Sequence, residues 1–285
     1  MIKGLWRGAE ILSDLFEISK IRRDPYFNMP SAHSHPMYEI YYLQSGTRKI
    51  FLDDSIYILD RGDMVFISMN TIHKTSYVND KVHERIVITF NDRAVPDIKS
   101  STSQVSFKKI FYSEPVIHIA SVHRDYMEGL LNGMLSEYEQ SDEYSDINIK
   151  NYLQELFIFL IRYKHHKSCK YTQNIGMTDT LMQEAARYIR TNYMEELSLE
   201  TVAAHFNISP TYFSKKFKSS TGFGYKEYLI NVRMQAASDL LLETKESLNE
   251  IALKCGFNDS DYFGNAFKKI KGVSPLKYRK NNKYS

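Results

Sequence analysis

The sequence predicts an α+β protein of several domains, with a small β-barrel, a helical hairpin and an all-helical C-terminal domain. Three observations support this fold class. At 285 residues the chain is longer than one hydrophobic core usually serves. Apolar residues alternate with the period of strands between about residues 38 and 90, and recur with the period of helices from about residue 121. Segments 208–222 and 258–272 also match each other at a constant offset of fifty positions.

The composition favours a protein of the reducing cytoplasm that does not span a membrane. Its two cysteines, Cys169 and Cys255, are too few for a disulfide framework and lack the spacing of a metal site. The densest apolar run, residues 156–161, is too short to cross a bilayer. The net charge is −1 for residues 1–177 and +4 for residues 178–285, so the basic surplus lies in the half that contains the repeat. Such a surplus is compatible with phosphate binding.

Five apolar stretches predict strands in the N-terminal part of the chain. They read YEIYYL, RKIFL, IYIL, MVFI and RIVITF. Gly46 and Gly62 stand in the intervening turn signals QSG and RGD, where tight turns need positive backbone angles. Short strands at this spacing are typical of a β-barrel or sandwich. We therefore assign residues 1–120 to a barrel domain.

Residues 121–166 predict two amphipathic helices that form an antiparallel hairpin. Tyr126, Leu130 and Met134 recur every four residues, and a second set follows the polar break EQSDEYSD. The second set is Ile149, Tyr152, Leu153, Leu156, Phe157 and Leu160. Two interpretations remain open: the helices only cover the barrel, or they dimerise the chain through the face of Leu153, Phe157 and Leu160. Residues 167–177 lack periodicity and are predicted to be a linker.

The repeated segments predict two helix-turn-helix units in residues 178–285. The aromatic pairs Tyr212-Phe213 and Tyr262-Phe263 occupy equivalent positions, and the polar residues between the repeated anchors differ. Helix, short turn and second helix form the helix-turn-helix plan. A shared apolar frame with different polar residues is what two units would show if they packed alike and bound different sequences.

Local signals give the ends of these helices. Ser209 can cap a helix with Pro210 in its first turn, while Ser247 and Glu250 form a capping box in the second unit. A connecting helix is predicted over residues 226–243, and at ~1.5 Å per residue it is ~27 Å long. This length can hold two recognition helices at roughly the ~34 Å repeat of the DNA major groove.

The segments SLETVAAHFNISPTYFSKKFKSSTGFGYKEYLINVRMQAASDLL and SLNEIALKCGFNDSDYFGNAFKKIKGVSPLKYR together resemble the DNA-binding domain of the AraC/XylS family of bacterial transcription regulators. The resemblance covers about a hundred residues. It implies contacts with DNA from two recognition helices. The implied contact residues are Pro210, Thr211, Ser214, Lys215 and Lys218 in the first helix, and Ser260, Asp261, Gly264, Asn265 and Lys268 in the second.

The second recognition helix departs from the family pattern and predicts weaker sequence discrimination. Asn265 stands where many relatives have arginine, which puts the usual guanine contact in doubt. Gly264 has no side chain with which to contact a base. Lys268, Lys269 and Lys271 are expected to bind backbone phosphates without specifying sequence.

The segment HSHPMYEIYYLQSG contains a second candidate site. His33, His35 and Glu39 are all odd-numbered, so an extended strand would place them on one face, and His73 follows later in the chain. The spacing resembles the first cupin motif, and the segment from Gly62 to His73 resembles the second. The second motif is degraded, because Ser68 and Tyr77 replace its usual proline and asparagine.

Three interpretations of this N-terminal site remain open. The set His33, His35, Glu39 and His73 could hold Fe, Mn, Ni or Zn, could form the polar wall of an organic-ligand pocket, or could be structural. Sensor domains of AraC/XylS regulators are similar cupin-like barrels, and the resemblance implies a sugar or other small molecule bound without metal. We therefore assign these four residues and Tyr41 to ligand binding and expect no cofactor.

The sequence as a whole predicts a transcription regulator that responds to a small-molecule effector and has no catalytic residues. The resemblance implies a cupin-like sensor domain, a double-stranded DNA operator, RNA polymerase and a second copy of the chain as partners. In that family the effector changes how the sensor and DNA-binding domains are placed within a dimer. The alternative is a metal-dependent cupin enzyme that carries a DNA-binding tail.

Overall fold

The computed structural model describes residues 15–24, 35–78, 81–95, 106–111, 114–166 and 175–282. Two antiparallel sheets lie in the N-terminal half of this part of the chain, with the strand orders β1-β7-β2-β5-β8 and β4-β3-β6. The strands are β1 Phe16–Arg23, β2 Tyr38–Ser45, β3 Arg48–Leu52, β4 Ser55–Leu59, β5 Asp63–Ile67, β6 His73–Tyr77, β7 His83–Phe90 and β8 Val116–His118.

The helices follow the sheets, apart from a short 3₁₀ turn at Asp92–Ala94 and one helical turn. They are α1 Lys108–Phe111, α2 Ser121–Gln140, α3 Ser145–His166, α4 Met177–Thr191, α5 Leu199–His205, α6 Pro210–Thr221, α7 Tyr225–Glu243, α8 Leu248–Lys254, α9 Ser260–Lys271 and α10 Pro275–Asn282. The α+β fold class is confirmed. Within the described residues, no helix is both long and apolar enough to cross a membrane.

Strand β2 shows how the N-terminal domain of two packed sheets divides its side chains between two cores. We call this domain the barrel domain, and the space between its sheets the barrel interior. Tyr38, Ile40 and Tyr42 belong to the large core between the five-stranded sheet and the helical hairpin. The alternate residues Tyr41 and Leu43 belong to a second core between the two sheets. A strand period of two produces this division, so the odd-numbered positions of β2 face the barrel interior.

Three strands of the barrel have weak sequence signals and were not among the predicted strands. Strand β1 carries several charged residues, β6 reads HKTSY, and β8 has three residues. Each is held by its neighbours: β1 pairs with β7 along its whole length, β6 pairs with β3, and β8 pairs with β5. Tertiary pairing therefore decides these strands more than local propensity does.

The hairpin formed by α2 and α3 covers the five-stranded sheet. Leu153, Phe157 and Leu160 are fully buried in the core that α3 shares with this sheet. The ring centroid of Phe157 lies 5.7 Å from that of Phe90 on β7. The interpretation that this face dimerises the chain is therefore wrong, because the apolar outer surface of the sheet already occupies it.

The C-terminal half contains two helix-turn-helix units, α5-α6 and α8-α9, on either side of the connecting helix α7. The predicted caps are confirmed: Ser209 accepts a hydrogen bond from the amide of Tyr212, and Ser247 forms a capping box with Glu250. Gly222 and Gly272 end the second helix of each unit with φ of 84° and 75°. Positive φ is the conformation in which glycine costs least, which explains the repeated glycine.

Candidate functional site

The first candidate surface is the exposed face of helix α6. Phe213 and Phe217 are fully buried on the opposite face, which fixes the orientation of the helix. Thr211, Ser214 and Lys215 are exposed to solvent together. The structure brings the predicted set together on one side of the unit, where Pro210, Thr211, Ser214, Lys215 and Lys218 line one open groove.

The corresponding face of α9 is also exposed but carries different chemistry. Asp259 caps the helix, and its Oδ1 accepts hydrogen bonds from the amides of Asp261 (2.7 Å) and Tyr262 (3.1 Å). Asn265 is exposed, and a Cβ added to Gly264 would meet nothing within 4 Å. Ser260, Asp261 and Lys268 are exposed as well. Carboxylates at the helix start stabilise the helix dipole and repel phosphate.

Lys271 lies in a contact between the two halves of the chain. Its Nζ donates to Oδ1 of Asn70, 3.1 Å away in the loop between β5 and β6. Burial lowers the pKa of Lys271 to about 8, although nearby Asp239 opposes this shift. Its ammonium group is thus engaged by the barrel domain, unlike the exposed Lys268 and Lys269.

An apolar contact joins the first helix-turn-helix unit to the three-stranded sheet. Phe51 of β3 packs against Phe223 and Tyr228, with ring-centroid distances of 5.6 and 5.5 Å. Ile56 and Ile72 belong to the same buried cluster. Strand β3 therefore contributes to two cores, since its neighbouring residues Ile50 and Leu52 face the barrel interior.

We call the surface formed by Phe51, Ile56 and Ile72 the docking surface. Polar contacts extend it along β3 and the turn between β3 and β4. The backbone carbonyl of Asp53 accepts a hydrogen bond from the Tyr228 hydroxyl at 2.9 Å. Asp53 also forms an ion pair with Arg190 of α4. The Nζ of Lys49 lies 3.0 Å from Oδ2 of Asp179. The two halves of the chain are thus joined by both apolar packing and charge.

The second candidate site lies at the start of β2 and brings together three of the predicted ligand-binding residues. His35 Nε2 lies 3.1 Å from Oε2 of Glu39, and His73 Nε2 lies 3.7 Å from the same oxygen. The candidate ligand atoms of the three residues all lie within 4.8 Å of one another. Glu39 and His73 are buried, whereas His35 is half-buried.

The local backbone differs from the extended strand that the sequence suggested for this segment. Strand β2 begins at Tyr38, so His35 precedes it and reaches Glu39 across a bend. The His35 Nδ1 makes a 3.1 Å hydrogen bond to the carbonyl of Met37 within that bend. His33 lies outside the described residues. A bend in the chain before β2 therefore brings His35 close to Glu39. Strand alternation accounts only for Glu39 and Tyr41, which lie on the same face of β2.

A group of buried basic residues shares the barrel with Tyr41 and was missed by the sequence interpretation. Burial is the main cause that lowers the pKa of Arg48 to about 10, and burial with the nearby guanidinium groups lowers that of His83 to about 4. Arg85 Nη1 donates to His83 Nε2 at 2.9 Å, and its guanidinium lies 5.6 Å from the ring centre of Tyr41. Burial raises the pKa of Tyr41.

The sequence does carry one signal that these residues are buried, which is their position on predicted strands. Arg48 and Arg85 begin the stretches RKIFL and RIVITF, where a charged residue at a strand position is uncommon. Their burial depends on which sheet face each occupies, and strand pairing sets that face. The two guanidinium groups add hydrogen-bond donors to the barrel interior.

Two family models match this chain. The model of the AraC-like ligand binding domain matches residues 18–157, and a helix-turn-helix domain model matches residues 202–281. The first match contains the barrel and most of the hairpin. The second contains α6, α7, α8 and α9, with the two exposed faces described above.

Relatives match either the C-terminal part or nearly the whole chain. The lactose operon transcription activator of Staphylococcus xylosus is 32% identical over 145 residues, 51% of each chain. The transcriptional activator RhaR of Pectobacterium atrosepticum is 24% identical over 98% of this chain and 96% of its own. The solved C-terminal domain of the response regulator AraT from Geobacillus stearothermophilus is 36% identical, covering 39% of this chain and 92% of that one with a TM-score of 0.37.

The first curated relatives match this chain over a third to two thirds of their own length. These relatives are named as a regulatory protein, a transcription activator and a helix-turn-helix-type transcriptional regulator. The two domain models together cover most of the chain, in the order ligand domain and then helix-turn-helix domain. The chain therefore belongs to the AraC family of transcriptional regulators, with a ligand-binding domain and a helix-turn-helix domain.

Proposed function

We propose that the protein binds a double-stranded DNA operator in the cytoplasm and regulates transcription in response to a small-molecule effector held in its barrel. The observation that carries this proposal is the exposed polar face of α6. Thr211, Ser214 and Lys215 remain open to solvent while the opposite side of the unit packs on the barrel domain. Docking of the two domains therefore does not cover the surface that would enter the major groove.

The two recognition helices divide the work of DNA binding in this proposal. Lys215 would contact a base edge or an adjacent phosphate, and Asn265 at the equivalent position of α9 would bond adenine. Pro210, Thr211, Ser214 and Lys218 support the first contact, and Ser260, Asp261, Gly264 and Lys268 surround the second. The helices are joined by α7, whose 19 residues span ~28 Å at ~1.5 Å each. Successive major grooves on one face of a duplex repeat at ~34 Å.

The effector in this proposal is a sugar or a related oxygen-rich metabolite. One relative is named as an activator of a lactose operon, which supports a sugar. The barrel interior offers both acceptors and donors, since Glu39, Tyr41, Arg48 and Arg85 are all buried there. Guanidinium groups present donors in a fork that suits neighbouring hydroxyls or a carboxylate.

Strand β3 provides a path from the effector to the DNA-binding domain. Ile50 and Leu52 face the barrel interior, whereas Phe51 between them packs on Phe223 and Tyr228. A ligand that shifts β3 in the barrel would therefore also shift the docking surface of the first unit. A ligand changes the equilibrium between two domain arrangements only if it binds one of them more tightly than the other. The position of β3 would provide that difference in affinity.

We place the homodimer contact on the outer face of the hairpin, since its inner face is buried. Tyr126 is 49% exposed, and its ring lies 5.4 Å from that of the half-buried Phe159. Phe159→Glu is expected to halve the mass seen in sedimentation velocity. Ile147→Glu is the matched control at the far end of α3, where Ile147 is also exposed. A dimer that survives Phe159→Glu would exclude this face.

The proposed dimer would bind two paired half-sites of the operator. Bound there, it would lie beside RNA polymerase.

The DNA-binding proposal is tested by selection of a randomised duplex library with the full chain. We expect enrichment of a sequence with two specified segments about one helical turn apart, ~34 Å. Lys215→Glu places a like charge against phosphate and is expected to abolish the enrichment. If wild type retained DNA without sequence preference, the proposed function would be wrong.

The effector is identified in a separate experiment, which measures the shift in melting temperature of the protein across a panel of sugars. Arg85→Ala is expected to remove that shift.

A further inference from the structure

The side chains of His35, Glu39 and His73 converge on one point of the barrel from two segments, the start of β2 and the start of β6. Both imidazole Nε2 atoms point at a single carboxylate oxygen, Oε2 of Glu39, at 3.1 and 3.7 Å. A tetrahedral zinc site with bonds of ~2.1 Å has ligand atoms ~3.4 Å apart. The two nitrogen–oxygen distances, 3.1 Å for His35 and 3.7 Å for His73, lie on either side of that value.

Both histidines are oriented by backbone carbonyls, which fixes the proton on each ring. Nδ1 of His35 contacts the carbonyl of Met37 at 3.1 Å, and Nδ1 of His73 contacts the carbonyl of Thr71 at 3.0 Å. A carbonyl oxygen only accepts, so each Nδ1 carries a hydrogen and donates it. In the neutral rings, each Nε2 therefore presents a lone pair to the Glu39 oxygen.

Two imidazole nitrogens and one carboxylate oxygen that converge on one point form a donor set that a divalent cation can bind with all three atoms at once. Glu39 and His73 are buried, so the surrounding side chains hold two of the three donors in position. Metal-bound histidines usually donate their other ring N–H to a backbone carbonyl or carboxylate, and here both rings donate to a carbonyl.

We propose that His35, Glu39 and His73 bind one divalent transition-metal ion. Two imidazoles and one carboxylate suit Zn²⁺, and the same set accepts Fe²⁺, Mn²⁺ or Ni²⁺. The remaining coordination positions take water or an oxygen of the effector. This geometry departs from the metal-free sensor that the family resemblance implied.

The metal site also adjoins the loop that contacts the second helix-turn-helix unit. The Asn70 amide donates to the His35 carbonyl at 2.8 Å. Its side chain accepts from Lys271 at 3.1 Å and donates to the Tyr278 hydroxyl at 3.4 Å. Because His73 is anchored to the same loop through Thr71, bound metal restrains residues 70–73 from both ends. Metal occupancy thereby favours the docked arrangement; this consequence, unlike the site itself, rests on the proposed function.

Metal binding is tested on the full-length chain after chelator treatment and titration with Zn²⁺ alone. We expect about one equivalent to bind, with an increase in melting temperature. His73→Ala and Glu39→Gln are expected to weaken binding at least 100-fold. His118→Gln is the matched control, because His118 forms another histidine–carboxylate pair with Asp63 at 2.7 Å. Equal Zn²⁺ affinity in all four proteins, or no binding by wild type, would overturn the site.

A second measurement needs no substitution and covers the case in which a variant does not fold. X-ray absorption of the Zn²⁺-loaded wild type is expected to show two imidazole ligands and oxygen. A shell without imidazole would overturn the proposal. DNA binding is measured on the same samples with and without Zn²⁺. Absence of DNA binding in both contradicts the proposed function, whereas Zn²⁺ binding without any change in DNA affinity contradicts only the coupling to docking.

Discussion

The two helix-turn-helix units share a frame but have different neighbours. Phe213 and Phe217 in the first unit are buried like Phe263 and Phe267 in the second. The first unit's core continues into the barrel domain through Phe51, whereas the second unit has a core of its own. The exposed faces differ too, because Lys215 corresponds to Asn265. One local fold therefore serves two roles, and four pairs of equivalent residues, each fifty positions apart, can test this difference.

The largest expected effect concerns the residue that follows each terminal glycine. Phe223 is fully buried against Phe51 and Tyr228, whereas its equivalent Val273 is half-buried in the second core. Phe223→Ala is expected to lower the free energy of unfolding by about 3–5 kcal/mol, and Val273→Ala by about 1 kcal/mol. Urea denaturation followed by circular dichroism measures both. Equal losses would mean that docking on the barrel contributes nothing to the first unit.

The next effect concerns DNA recognition by Lys215 and Asn265. Lys215→Ala is expected to weaken operator binding by about 1–3 kcal/mol, since it removes one good base contact. Asn265→Ala is expected to cost less, because α9 begins with two carboxylates that repel phosphate. Fluorescence anisotropy with the selected operator measures both, and Lys226→Ala controls for the loss of one positive charge. A larger loss for Asn265→Ala would reverse the assigned roles.

The two terminal glycines give a smaller difference. Gly222→Ala and Gly272→Ala both place alanine at positive φ, which costs about 1–2 kcal/mol. At Gly222 the new Cβ would also lie 2.7 Å from Cδ of Lys74, whose Nζ donates to the Gly222 carbonyl. At Gly272 nothing lies within 4 Å of that position. Thermal melting should therefore show the greater loss for Gly222→Ala. Identical losses would show that Lys74 adjusts without cost.

The smallest effect is a pH dependence that the second unit has and the first lacks. Lys271 corresponds to Thr221, a buried residue whose hydroxyl donates to the Phe217 carbonyl. Burial lowers the pKa of Lys271 to about 8 from its usual 10.5. Above pH 8 the folded state loses a proton that the unfolded state still binds, so stability rises with pH. Relative to Lys271→Gln, wild type should gain about 1 kcal/mol between pH 7 and pH 9. A constant difference would contradict this shift.

The helical half could be predicted closely from sequence because its signals are local. Ser209, Pro210 and Gly222 mark the ends of α6 by chemistry that acts within one turn of the helix. Because segments 208–222 and 258–272 match at a constant offset, the same local signals predict the helix ends in both units. The exposed residues of α6 and α9 followed from the positions of the buried phenylalanines.

The barrel was harder to predict because its structure depends on pairing between distant segments. The polar strand β6 is held by β3, and this pairing brings His73 towards Glu39. The burial of Arg48 likewise depends on which face of β3 points inwards. No local signal indicated that the dimer residues chosen on α3 would be covered by the sheet. Periodicity identified the apolar stripe of α3 but not what packs against it.

The edge of strand β4 has a practical consequence for work on separate domains. Strand β4 pairs with β3 on one side, while the Ile56 amide donates to the Gln183 side chain of α4 at 2.8 Å. If the barrel domain were expressed without the C-terminal half of the chain, this edge and the apolar Phe51, Ile56 and Ile72 would face water. An unpaired edge beside apolar side chains is a template for aggregation. Truncation between the two halves is therefore expected to give inclusion bodies even if α4 is retained, because Phe51 packs on Phe223 and Tyr228. Exchanging sensor domains between regulators would require a C-terminal domain with a matching surface.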